Sequence, residues 1–487
     1  MSLTRSGYLT GETPEIKKEL TVRAVVNTEF GFPPPPFKVF RKTKTGLCVP
    51  RFYGEEKFGE AKEDRRPKPV KISCKFNGKL RDETHQNDAL AAALKSGHGV
   101  LSLPCGFGKT TVSLAIACKL GYRTMIVVHK EFLANQWKER IQQFCPGATI
   151  GVVQQNKLET DCDFVIAMLQ SLSLKEYSFN DFDTIGTLIV DEAHHICAKV
   201  FSQSLFKICP KHIFGLSATP TRKDGLTKVL HWFMGPTFFA IERENQEQVE
   251  VFPIEYRCLR FQDPPPCTRF GKLSLATMIT ELTEDRGRNI VIANLIKNIL
   301  KGTRQVLVLS DRRHHCEVLH QSFKKTSGLY MGGMKEVDLA ESSKKQIIFA
   351  TFSQAHEGLD IPSLDTVILA TPKSDIVQSI GRIMRETHGK KNNPHIYDMF
   401  DQWSICHAMY NKRLKVYRQG GFKIPKQKSE EPTDFNKGKW TDLSELVSSG
   451  ITPYYLTVNQ GKLYLAVFNH GAPGRGDSIL EFTPLKK

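Results

Sequence analysis

The chain lacks long apolar runs. No stretch approaches the ~18 residues a bilayer-spanning helix needs, and the opening MSLTRSGYLTGETPEIKK has no apolar leader core. Membrane insertion and secretion are therefore not expected. Paired cysteines are also missing: the 12 Cys residues are scattered singly, with no Cys-x-x-Cys. A disulfide framework does not fit, and free, mostly buried thiols in a reducing interior are the simplest account. His194, His195 and Cys197 do not make a zinc set, because adjacent residues point to different faces. There is no internal repeat at a period of ~20–50 residues, which excludes solenoids and propellers. Acidic charge is in deficit as well. Lys plus Arg number 68 against 51 Asp plus Glu, a net +17. That excess favours a polyanionic partner, of which nucleic acid is the commonest.

What is present is strand–helix alternation, in two stretches. A length of 487 residues allows about three domains. The first stretch carries the short apolar runs Val100–Leu103, Thr124–Val128, Phe164–Ala167, Thr187–Val190 and His212–Leu216. Helical patterns cover Thr110–Leu120 and Glu131–Phe144. The second carries Gln305–Leu309, Gln346–Ala350, Thr366–Ala370 and His395–Phe400, with helical patterns over Arg288–Leu300, Ser374–Met384 and Ser404–Tyr417. Short β-rich runs without polar alternation are strands buried on both faces, hence parallel sheets. The expected class is α/β. Residues 1–77 read as a β-rich accessory domain whose basic runs Arg41–Lys44 and Arg65–Lys68 are candidate DNA contacts. The first lobe is expected over 78–245 and a linker, with Pro264–Pro266, over 246–284. The second lobe is expected over 285–425, and a C-terminal extension over 426–487. In that extension Tyr454–Val458 and Lys462–Phe468 flank a hairpin turn.

Pro104-Cys105-Gly106-Phe107-Gly108-Lys109-Thr110 lies between a strand and a helix. Backbone N–H groups of such a turn, with a helix N-terminus behind them, cradle phosphate oxygens. Gly106 and Gly108 keep the backbone accessible, Lys109 reaches the outer phosphates, and the Thr110 hydroxyl binds Mg²⁺. Asp191-Glu192-Ala193-His194 follows the Thr187–Val190 strand. One carboxylate there, Asp191, can hold the same Mg²⁺, while Glu192 activates the attacking water. ATP and Mg²⁺ are the cofactors this pair of motifs implies.

These motifs resemble those of the superfamily 2 helicases and translocases of the DEAD/DEAH group, whose two RecA-like P-loop lobes match the two stretches over roughly 80–425. Gly106–Thr110 correspond to motif I and Asp191–His194 to motif II. Ser217-Ala218-Thr219 correspond to motif III, Ala350-Thr351 with Gly358–Pro362 to motif V, and Gln378–Arg385 to motif VI. Val127–Trp137 is similar to motif Ia, and Gln170-Ser171 to the phosphate-contacting motif after it. The resemblance implies that His194, Ser217 and Thr219 couple the ATP site to the rest. Gly358, Asp360 and Gln378 would border the nucleotide, and Arg382 and Arg385 would stabilise its transferring phosphoryl group. Ser171 and Thr351 would touch the nucleic-acid backbone. Gln86 and Arg81 are the candidates for reading adenine.

LPCGFGKT, DEAHH, SATPTRKDG and GLDIPSLD together look like the DNA-directed branch, which holds XPB-type and UvsW-like helicases. They are most similar to the transcript-release helicase of poxviruses. The implied reading is an ATP-dependent DNA helicase or translocase of a large DNA virus, acting inside a host cell in transcription, replication or repair. An RNA helicase is the alternative enzyme. A non-catalytic DNA-binding factor on a retired ATPase scaffold is the alternative class, although Lys109, Glu192, Arg382 and Arg385 are all present.

Overall fold

Runs of β-branched and aromatic residues build two mostly parallel sheets, one in each of two units, Met1–Glu242 and Arg243–Lys487. The computed structural model describes the chain apart from residues 26–33, 105, 179, 219–221, 223, 242–247, 262, 269–270, 272, 358, 360, 382, 384–391, 426–450, 460–461, 470–482 and 485–487.

The first 77 residues form β1 (Ser2–Thr4), β2 (Gly7–Thr10), α1 (Pro14–Glu19), β3 (Thr21–Val22), β4 (Phe37–Lys38), β5 (Arg41–Thr43), β6 (Gly46–Val49), α2 (Arg51–Phe58) and β7 (Glu63–Asp64). Five of the strands make a small sheet in the order β5-β6-β2-β1-β7. This segment is not a separate accessory domain. Leu3, Tyr8, Phe52 and Tyr53 share one apolar core with Leu188, Phe206, Val229 and Phe233 of the first lobe. Tyr53 meets Trp232 edge-on at 5.4 Å. Several of its basic groups are also engaged within the chain. Arg41 donates to the Gln203 carbonyl at 2.8 Å, and Arg66 to the Pro210 carbonyl at 2.9 Å and to Asp64. The expectation that Arg41 and Arg66 serve DNA is corrected accordingly: these guanidiniums dock the segment onto the lobe.

The first lobe continues with α3 (Gln86–Ser96), β8 (His98–Ser102), α4 (Lys109–Leu120), β9 (Thr124–Val128), α5 (Glu131–Phe144), β10 (Ile150–Gln154), β11 (Lys157–Leu158), β12 (Phe164–Met168), α6 (Leu169–Leu174), β13 (Thr187–Val190), β14 (His212–Ser217), α7 (Thr227–Met234) and β15 (Thr237–Ala240). The sheet order is β11-β10-β12-β9-β13-β14-β8-β15, parallel except for β10–β11. Strands β9, β12 and β13 are buried at every residue, as expected for a sheet covered on both faces. Leu133, Trp137 and Ile141 recur every four residues and turn one face of α5 into the core.

The second lobe contains β16 (Glu250–Tyr256), α8 (Leu275–Glu284), α9 (Arg286–Ile299), β17 (Val306–Ser310), α10 (Arg313–Gln321), β18 (Ser327–Tyr330), α11 (Glu336–Ser343), β19 (Ile347–Thr351), α12 (Phe352–Glu357), β20 (Thr366–Leu369), α13 (Val377–Gly381), β21 (His395–Asp401) and α14 (Ser404–Gln419). Its six strands are all parallel, in the order β16-β21-β20-β17-β19-β18. The stretch expected as a linker over 246–284 therefore supplies an edge strand and a helix. Pro253 is tolerated in β16 because this is the edge strand of the sheet, paired along its length with β21 and, on the other side, bridged among the described residues at Glu250–Lys423, away from the proline. Two buried ion pairs brace this lobe: Arg288 with Asp401 at 2.7 Å and Arg413 with Asp398 at 2.8 Å. Beyond residue 450, β22 (Ile451–Asn459) and β23 (Lys462–Asn469) form the expected hairpin, Asn459 opposite Lys462, and β24 (Thr483–Pro484) pairs with β23. The expected turn residues Gln460 and Gly461 lie outside the described residues.

Candidate nucleotide site

Strand order explains why distant motifs meet. In β12-β9-β13-β14-β8, neighbouring parallel strands lie about 4.8 Å apart and end at one edge. The segments leaving that edge carry Gln170 and Ser171, His129, Asp191 and Glu192, Ser217, and the glycine-rich loop. This carboxyl edge is where open parallel sheets bind ligands.

The loop leaves β8 and enters α4 at Lys109. Gly106 and Gly108 have φ of 84° and 94°, a region that favours glycine. A Cβ at Gly108 would lie 2.8 Å from the Gln86 amide nitrogen. Gln86 is 2% exposed and fully engaged: its Nε2 donates to the Phe107 carbonyl and its Oε1 accepts from the Arg81 N–H at 2.9 Å. Arg81 donates to the same carbonyl at 3.3 Å. The two candidate adenine readers thus brace the phosphate loop from behind. Lys109 Nζ donates to the Leu103 carbonyl at 3.4 Å, across the base of the loop. Thr110 is the next residue of α4.

Asp191 follows β13, and its Oδ1 accepts the Glu192 N–H at 3.0 Å. Trp137 of α5 donates its indole N–H to Asp191 Oδ2 at 2.9 Å. Burial and then Glu192 push the Asp191 carboxyl above the usual carboxylate range, while Trp137 and Lys109 pull it back. Glu192 sits at φ 46°, a strained conformation of the kind that clusters at functional sites. Its Oε2 is buried with no hydrogen-bond partner and lies 3.5 Å from His194 Nδ1. Two adjacent carboxylates, one with an unsatisfied buried oxygen, are a surplus of hard oxygen acceptors. That donor chemistry fits Mg²⁺.

His194 Nδ1 also faces Ser217 Oγ at 3.4 Å, which joins motif II to the end of β14. Arg222 donates to the His194 carbonyl at 2.6 Å. Burial, then Arg222 and His129, push the His194 imidazole down to about 4. Burial and His129 push His195 down to about 3. The His129 and His195 rings lie 4.1 Å apart, and the His129 carbonyl accepts from Gln170 Nε2 at 2.7 Å. Both motif II imidazoles are therefore neutral near pH 7. Ser171 Oγ accepts from the Gln155 N–H at 3.0 Å. In the second unit Thr351 ends β19 with its hydroxyl 3.2 Å from that of Ser353. Gln378 lies on α13, and only its backbone is described. Thr219, Gly358, Asp360, Arg382 and Arg385 lie outside the described residues.

Arg222 is a candidate site residue that the sequence did not single out, and Trp137 is legible there only as part of motif Ia, with Leu133 and Gln136, and with no partner assigned. Trp137 stood within the motif Ia stretch and Arg222 within SATPTRKDG, but nothing in their spacing showed which groups they would meet.

The fold and this edge define a P-loop enzyme of the helicase type. Residues 79–222 match the family described as type III restriction enzyme, res subunit. The chain is 33% identical over 470 residues to a protein of Acanthamoeba polyphaga mimivirus that carries the name ATP-dependent RNA helicase L396, covering 90% of this chain and 89% of that one. It is 28% identical over 375 residues to a protein of Invertebrate iridescent virus 6 named helicase 161L, covering 72% and 83%. Among solved structures, helicase Lhr of Mycobacterium smegmatis matches at 16% identity and a TM-score of 0.49, over 70% of this chain and 49% of that one. The chain belongs to the superfamily 2 helicases, with relatives in large DNA viruses. It is an ATP hydrolase that acts on nucleic acid.

Proposed function

We propose that the protein is a DNA-directed helicase or translocase serving viral transcription, replication or repair inside a host cell. The observation that carries the choice of DNA is the motif wording: LPCGFGKT, SATPTRKDG and GLDIPSLD together are similar to the DNA-directed branch. The net charge of +17 supports a backbone-held, sequence-blind grip. Lys109 and the loop N–H groups would bind the phosphates of ATP, and Thr110 and Asp191 would hold Mg²⁺, which would neutralise phosphate charge there. Glu192 orients the attacking water and accepts its proton at a carboxylate oxygen. His194 and Ser217, with Thr219, pass the state of that site to the rest of the first lobe. Gly358, Asp360 and Gln378 border the nucleotide, Arg382 and Arg385 supply positive charge to the transferring phosphoryl group, and Ser171 and Thr351 contact the strand backbone.

The name of the mimivirus relative favours RNA as a second reading. ATPase stimulation by single-stranded DNA, duplex DNA and RNA of equal length separates the two. DNA should stimulate most, with the activating concentration rising steeply with salt, a log–log slope of several units. Stimulation by RNA alone overturns the DNA reading.

A further inference from the structure

Three cysteines far apart in sequence converge on the first lobe. Cys118 lies in the last turn of α4, Cys145 caps α5, and Cys74 lies on the segment between β7 and α3. The Cys118 sulfur is 3.7 Å from that of Cys74 and 3.6 Å from that of Cys145. All three lie within 4.8 Å of one another.

The backbone holds this arrangement from both sides. Ile72 N–H donates to the Gly121 carbonyl at 2.9 Å, just past the end of α4, and Asn77 N–H to the Phe144 carbonyl at 2.7 Å, at the end of α5. Cys74 is thus strung between the ends of the two helices that carry its partners. Phe76 and Phe144, with ring centroids 5.8 Å apart, belong to the same apolar cluster as the three cysteines. Cys145 is buried, while Cys74 and Cys118 are half-buried, which leaves a path for an ion.

We propose that Cys74, Cys118 and Cys145 form a thiolate site for one metal ion of the zinc class, with the fourth position left to water. Tetrahedral zinc with Zn–S bonds of ~2.3 Å places neighbouring sulfurs about 3.8 Å apart. The two measured separations fall within ~0.2 Å of that. A disulfide would need one sulfur pair to close to ~2.05 Å and would strand the third thiol. Hydrogen bonding with Cys118 holds the Cys145 thiol below its ordinary range. Burial pushes Cys74 up to about 11, and hydrogen bonding to Cys145 together with burial pushes Cys118 up as well. A cation lets these two ionise, their protons passing to solvent as the Zn–S bonds form. The ion would clamp the far ends of α4 and α5, whose other parts place Lys109 and Trp137 at the nucleotide site.

The test uses the full-length chain, expressed with added zinc and purified under a phosphine reductant without chelator. Elemental analysis should find about one zinc per chain after dialysis. Co²⁺ added to the zinc-free chain should give thiolate-to-cobalt charge-transfer and tetrahedral d–d bands. Cys74→Ser, on an irregular half-buried segment, should lose both signals and weaken zinc binding at least ~10-fold. Cys258→Ser, which alters a half-buried thiol of the other unit, should change neither. Zinc should raise the unfolding temperature of the wild type and not of Cys74→Ser. The proposal is overturned if Cys74→Ser binds zinc as the wild type does, if no cobalt bands form, or if the cluster is isolated as a disulfide 2 mass units lighter.

Discussion

Replacing Trp137 by Phe removes one hydrogen bond from the proposed nucleotide site and keeps an aromatic ring in the core. The indole N–H lies 2.9 Å from Asp191 Oδ2, and the side chain is 1% exposed. A hydrogen bond to a charged group contributes about 1.5–3 kcal/mol. At 1.4 kcal/mol per factor of ten, its loss corresponds to roughly 10–100-fold, the range seen when a group orienting a metal ligand is removed. The expected outcome is a free Mg²⁺ concentration for half-maximal ATPase activity raised by that factor. Nucleotide binding without Mg²⁺ should stay within about twofold, because Lys109 and the loop N–H groups are untouched. The smaller ring also leaves a void, at a cost of about 1–3 kcal/mol in stability. Urea unfolding measures that cost separately. The assay is steady-state hydrolysis at saturating nucleic acid across a Mg²⁺ titration. An unchanged midpoint and kcat in a folded variant would show that Trp137 merely fills space and that Asp191 is not oriented through it.

Three other outcomes are expected. Glu192→Gln keeps the shape of the side chain but loses the proton acceptor, so turnover should fall roughly 10²–10⁴-fold with nucleotide still bound; near-normal hydrolysis would place water activation elsewhere. Arg288→Met leaves Asp401 buried without its guanidinium, which should cost about 3–5 kcal/mol in urea unfolding. Adding Asp401→Leu should recover most of this, and an undiminished loss in the double variant would refute the pairing argument. His194 and His195 are held neutral, down to about 4 and 3, whereas unfolded His takes a proton below about 6.5. Below that pH the unfolded state binds more protons, so stability should fall from pH ~6.5 toward ~4 and be flat in this respect above it. His195→Asn should shallow the fall, and an equal pH slope in variant and wild type would refute the linkage.

Much of the fold was legible because strands buried on both faces advertise themselves. Thr124–Val128 and Thr187–Val190 were read to the residue, and Glu131–Phe144 likewise, since their apolar patterns have no competing interpretation. Gly-Lys-Thr and Asp-Glu-Ala-His were legible because phosphate and metal chemistry dictate residue types at fixed local spacing. The β16 strand was missed because Pro253 argues against a strand, a rule that holds for central strands and lapses at an edge. Helix α8 was not legible because its apolar stripe of Met278, Ile279 and Leu282 is short and follows closely on Pro264–Pro266, where neither helix nor sheet can run. The cysteine cluster and the Trp137–Asp191 bond were not legible at all. Their partners lie 27 to 54 residues apart, on α4, α5, the segment before α3 and the end of β13, which only the folded lobe brings together.

The core that residues 1–58 share with the first lobe also governs the order of events during synthesis. These residues are made well before their apolar partners Leu205, Phe206, Val229 and Phe233, which follow roughly 150–230 residues later. At about 5–20 residues per second this is a delay on the order of 10–45 s. Throughout it Leu3, Tyr8, Phe52 and Tyr53 have only the partners within their own segment, such as Leu47, Val49 and Phe58, and the rest of their apolar surface is a target for holding chaperones. The phosphate loop is translated midway through the delay, before β13 and β14 exist to flank it. The sheet that carries this loop is complete only once β15, ending at Ala240, has been made.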